Sequence, residues 1–149
     1  MGVIMKIYLK NFLLCGFIGW CTECFWTGLG SVQEHSDRRL LCRTSLWMFP
    51  IYGMAAVIPK IAEKLKGKNC LIRGTVYMTG IFVVEFFTGT FLQYIRSCPW
   101  DYSKARLNIR GVIRLDYAPV WFVLGLIYER ILCTRSNENE RKAGKRCLF

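Results

Sequence analysis

Basic side chains are missing from Gly74 to Ile95, twenty-two consecutive residues in a chain that otherwise carries 21 lysines and arginines. Acids are scarce throughout, 10 in 149 residues, and this stretch holds one, Glu85, at its middle. At about 1.5 Å per residue such a run is long enough to cross a bilayer, which puts Glu85 near the midplane, where a charge is expensive. Hydrophobic residues make up 53% of the chain, aromatic residues 15%, and mean hydropathy is positive. That balance is high for a soluble domain of this size and favours a membrane protein.

Other absences narrow the chemistry. There is one histidine, His35, and the C-x-x-C of Cys21 and Cys24 has no second pair at zinc-like spacing. No metal or cofactor is therefore expected, and the eight cysteines read as small apolar packing groups. No G-x-x-x-x-G-K-[ST] occurs, so any ATPase must be another chain. No small-residue cleavage site follows Lys6 and Lys10, so the first apolar run is expected to stay as a span. The net charge of +11 would suggest nucleic acid in a soluble protein. Here the basic residues gather between the apolar runs, so they are expected to set orientation and meet anionic headgroups: the partner is the lipid bilayer, with no nucleic acid.

What is present repeats. From Asn11 to Gln33, twelve uncharged residues precede Glu23 and ten follow; from Gly74 to Ile95, eleven precede Glu85 and ten follow. Allowing one gap, Glu23-Cys24-Phe25-Trp26-Thr27-Gly28 reads like Glu85-Phe86-Phe87-Thr88-Gly89, which suggests an internal duplication. Gly16, Gly19, Glu23, Thr27 and Gly30 recur at helical steps on one face, with Leu14, Phe17 and Phe25 opposite and suited to lipid. In the second copy, Gly74, Met78, Ile81, Glu85, Thr88, Gly89 and Leu92 share a face.

Each acid-bearing run is followed by another apolar stretch. Thr44 to Pro59 is short for a span, although Lys60 can snorkel and extend it, and Pro50 stands in its first turns. The last span runs from near Leu115 to near Cys133, with Pro119 at the matching early position. Asp116 and Glu129 are expected to pair with Arg114 and Arg130 or with nearby basic residues.

The expected fold is all-α: a polytopic membrane protein whose four transmembrane helices form two repeated hairpins. It forms one domain over 1–133, followed by a disordered basic tail over 134–149. A partly structured loop, Arg96 to Arg114, precedes the last helix. The loops on the side of the termini hold 13 basic residues against 8 on the other side, which places both termini in the cytoplasm. The plasma membrane is the expected location.

With these residues in view, the chain resembles the ABC-transporter type IV permease family. The likeness rests on the intramembrane Glu of the first span, Leu46-Trp47 with Pro50-Ile51-Tyr52-Gly53, Glu85-Phe86-Phe87-Thr88-Gly89, and above all Cys98-Pro99-Trp100-Asp101-Tyr102-Ser103 with Asn108 and Gly111 downstream. It is also similar to the animal transmembrane protein 229 family, and the resemblance spans roughly Phe12 to Cys133. It implies a small multi-pass membrane protein of transport type, with a separate ATPase subunit if the parallel to permeases holds. Four short spans are few for a permease, so a homo-oligomer is expected.

The chemical expectation is that Glu23 and Glu85 face each other and share a proton or a cation, since two carboxyls in low dielectric do not both ionise cheaply. Thr27, Thr88 and Tyr52 are the expected neighbours, and in the bland reading each does no more than hydrogen-bond a carboxyl. Arg96, Trp100, Asp101, Tyr102 and Asn108 form a candidate rim, with the alternative that Asp101 is a turn residue and the aromatics are interface anchors. A lipid-acting enzyme, with an acid as general base, and a structural or regulatory membrane partner are the competing classes. No recognised catalytic motif supports the first.

Overall fold

A computed structural model describes residues 2–35 and 39–142, with side chains at 5–30 and 39–135. Three helices are long: α1 (Gly2–His35), α4 (Cys70–Tyr94) and α5 (Ala118–Lys142). Between them lie α2 (Met48–Gly53) and α3 (Ile58–Lys64), and a two-stranded antiparallel hairpin of β1 (Asn108–Ile109) and β2 (Ile113–Arg114).

Among the described residues, three segments are long and apolar enough to cross a membrane: Met5–Gly30, Cys70–Tyr94 and Leu115–Arg135. The 21 residues of the shortest rise about 31 Å, enough for a hydrocarbon core of about 30 Å. The second apolar run, expected as one helix, is instead broken. A 3-10 stretch at Met54–Val57 separates α2 from α3. Pro59 explains the break, because it enters the first turn of α3 without an N–H to offer the carbonyl four residues back.

The chain divides into two compact units, Met1–Ala56 and Val57–Phe149. In the first, α2 packs on α1 through small residues. A Cβ on Gly19 would overlap the Tyr52 ring, and one on Gly16 would stand 2.8 Å from the Phe49 carbonyl. Phe49 fits edge-on against both Phe12 and Trp20, with ring centroids 6.3 and 6.1 Å away. Of the three residues expected on the other side of α1, Phe17 and Phe25 are 60% and 68% exposed and Leu14 is half-buried. Among the described residues nothing lies within 4 Å of a Cβ on Gly30, whereas Gly28 lies under the Leu40 carbonyl.

In the second unit α4 and α5 pack closely. A Cβ on Gly74 would overlap Phe122, and one on Gly125 would overlap Tyr77. Gly74, Tyr77, Gly89 and Leu92 are buried, whereas Val83, Phe87 and Phe91 are exposed, so the face expected from the spacing is the packed one. Arg73 and Glu129 form an ion pair at 3.1 Å. Glu129 therefore pairs with Arg73 rather than its chain neighbour Arg130, which the helix turns about 100° away. Asp116 pairs with Arg114 as expected. α5 runs past Cys133 to Lys142, since Glu, Arg and Lys propagate a helix already begun. The remainder of the tail expected to be disordered, 143–149, lies outside the described residues.

Candidate functional site

Glu85 sits at the middle of α4, half-buried on its packed face. Its partner comes from the first turn of α5, where the Trp121 indole N–H donates to Glu85 Oε2 at 3.2 Å. Pro119 stands at the second position of that helix, where a missing N–H costs nothing, and so fixes where the turn begins. Trp121 meets Tyr117 edge to face, centroids 6.1 Å apart, and Tyr117 meets Tyr102 likewise at 5.9 Å. Arg114 lies over the Tyr117 ring, 4.5 Å from its centroid, and grips Asp116 with two N–H groups at 2.8 and 2.9 Å. An unbroken line of aromatic rings thus joins the mid-helix acid to the loop before α5.

That loop rests on α4 one turn beyond Glu85. Gly89 follows Glu85 by four residues and shares its face, and its missing side chain admits Val112 and Trp100, whose atoms would lie 2.9 and 3.0 Å from an added Cβ. Two successive left-handed residues, Arg110 at φ 53° and Gly111 at φ 70°, make the turn that brings Val112 there. The Val112 N–H donates to the Ile109 carbonyl at 3.1 Å, and the Trp100 indole donates to the Val112 carbonyl at 3.0 Å.

The rim candidates bond to their own loop. Asp101 Oδ1 accepts the Ser103 N–H at 2.9 Å, and this bond holds its carboxyl below the usual range. Asn108 donates to the Ala105 and Ser103 carbonyls and accepts the Gly111 N–H at 3.1 Å, fastening the loop from inside. Arg96 takes the left-handed position after α4, with φ 55°. Its N–H and that of Ser97 close onto the Gln93 and Leu92 carbonyls, so it ends the helix as a glycine commonly does. The Cys98 thiol donates to the Trp100 carbonyl, and burial pushes its pKa up.

In the first unit, Glu23 Oε2 accepts the Thr44 hydroxyl at 3.1 Å. The Thr27 hydroxyl donates to Glu23's own backbone carbonyl at 2.9 Å and accepts the Arg43 N–H at 3.1 Å. Thr88 likewise donates to the Val84 carbonyl at 2.6 Å. The two threonines expected beside the carboxyls thus bond to backbone, and Tyr52 packs on Gly19. The carboxyl partners are Thr44 and Trp121, which sequence reasoning missed; an acid four residues from a packed glycine marks the face but not the donor opposite it.

A half-buried carboxylate with one oxygen held by an indole can accept a proton or a cationic group at the other, and the rings beside it suit an apolar cation. No solved structure matches this chain. A family model described as "Putative ABC-transporter type IV" matches residues 10–147, and the chain belongs to that family, as an integral membrane protein.

Proposed function

We propose that this chain is a transport-type membrane subunit in which Glu85 takes up and releases a proton or a cationic solute, with Trp121 orienting the carboxylate. The observation that carries this reading is the 3.2 Å indole bond to an acid at the middle of a membrane-length helix. Intramembrane acids are expensive and are kept where they act. Glu23, bonded by Thr44 on the segment that returns along α1, is the counterpart in the first unit. In this reading the second apolar run, Thr44 to Pro59, makes a fourth crossing, and the two hairpins are copies of one ancestral unit. Both termini lie in the cytoplasm at the plasma membrane, the chain assembles as a homo-oligomer, and a separate ATPase subunit supplies the energy.

A second reading, a structural or regulatory partner, is favoured by the fact that both acids already have donors within their own units. Proteoliposomes containing a trapped pH-sensitive dye separate the two. Under an imposed potential, E85Q and E23Q should each abolish proton entry while the protein keeps its helix content. Full flux in both variants would make the acids structural, as would failure of both to yield folded protein.

A further inference from the structure

The segment that follows α1 returns along it. The Leu40 carbonyl would lie 3.2 Å from a Cβ on Gly28, the Arg43 N–H bonds to Thr27 Oγ1 at 3.1 Å, and the Thr44 hydroxyl bonds to Glu23 at 3.1 Å. As the segment advances from 40 to 44 its contacts on the helix step back from 28 to 23, so it runs antiparallel to α1. Cys42 falls between these contacts. Its Cβ would lie 3.8 Å from one on Gly28, and Cys24, one turn earlier, is on the same helical face. The Cys42 side chain is a direct neighbour of Cys24. Both are free, with Cys42 exposed and Cys24 half-buried.

The more conspicuous pair in the sequence, Cys21 and Cys24, is worse placed to join. Both stand on one continuous helix three residues apart, where Cβ atoms are about 5–6 Å from each other. A disulfide needs about 3.5–4.5 Å.

We propose that Cys24 and Cys42 are a redox pair whose disulfide fixes the return segment, and with it Thr44, on Glu23. Each thiol gives up its proton, the S–S bond forms, and the two electrons pass to a low-molecular-weight disulfide, which is cleaved to two thiols. The pair depends on the geometry of the first unit alone and stands whether or not Glu85 transports anything.

The test uses the full chain in detergent, equilibrated with oxidised and reduced glutathione, alkylated, and digested with trypsin without reduction. Mass spectrometry should find the peptide 11–38, alkylated at Cys15 and Cys21, joined to 40–43, two hydrogens lighter than those two peptides together with Cys24 and Cys42 as free thiols. The joined peptide should be lost in C24S and in C42S and kept in C15S, C21S and E23Q. No joined peptide at any glutathione ratio, a Cys42 that stops at the glutathione adduct, or a link that survives C24S would overturn the proposal.

Discussion

Trp121 reaches across from the first turn of α5 to donate its indole N–H to Glu85 at the middle of α4. The bond gives an otherwise costly acid a fixed orientation, and it joins that acid to Tyr117 and Tyr102.

Removing the donor should be felt in stability. W121F leaves the carboxylate without the indole, and a lost bond to a buried acceptor costs roughly 1–3 kcal/mol. Chemical unfolding in detergent of W121F, E85Q and the double variant should give a coupling of about 0.5–3 kcal/mol. Additive effects would mean that the contact contributes nothing.

The Arg73–Glu129 pair should behave asymmetrically. Glu129 is 8% exposed, so R73Q strands a buried charge. Breaking a fully buried pair costs about 3–5 kcal/mol, and the 34% exposure of the Arg73 side chain should bring the loss below that range. R73L/E129L, which removes both charges, should unfold later than R73Q. The reverse order would contradict the pairing.

Glycine positions should divide sharply. G19A places a methyl group into the Tyr52 ring and should cost roughly 1–3 kcal/mol. G80A meets nothing within 4 Å and should gain up to about 1 kcal/mol from helix propensity. Thermal unfolding of the two variants side by side checks this.

The loop should loosen in acid. The folded state holds the Asp101 carboxyl below its unfolded value, so its contribution is complete above the ordinary carboxylate range and is lost as pH falls through the folded value. Protection of the Ser103 amide, measured against its intrinsic exchange rate at each pH, should fall through that acid window. In D101A the step should vanish, with low protection at every pH.

Much of this was legible in the sequence. The uncharged runs around Glu23 and Glu85 mark α1 and α4, the face carrying Gly74, Gly89 and Leu92 is the buried one, and Asp101 sits in a turn, one of the two roles its chemistry left open. The break in the second apolar run was less legible, because hydropathy is blind to the missing N–H of Pro59. The donors to the acids were not legible at all. Thr44 lies 21 residues from Glu23 and Trp121 36 from Glu85, and periodicity tells which face is packed but not which side chain meets it. Arg73, 56 residues from Glu129, was open only as an unnamed basic partner for the same reason.

The infrared difference spectrum of the reconstituted protein, recorded in the carboxyl C=O stretch as the external pH is stepped, tests the role of Glu85 most directly. A band from a carboxyl that gains or loses its proton should be present in the wild type, absent in E85Q, and shifted in W121F, where the indole bond is gone. A spectrum that E85Q leaves unchanged would contradict the account.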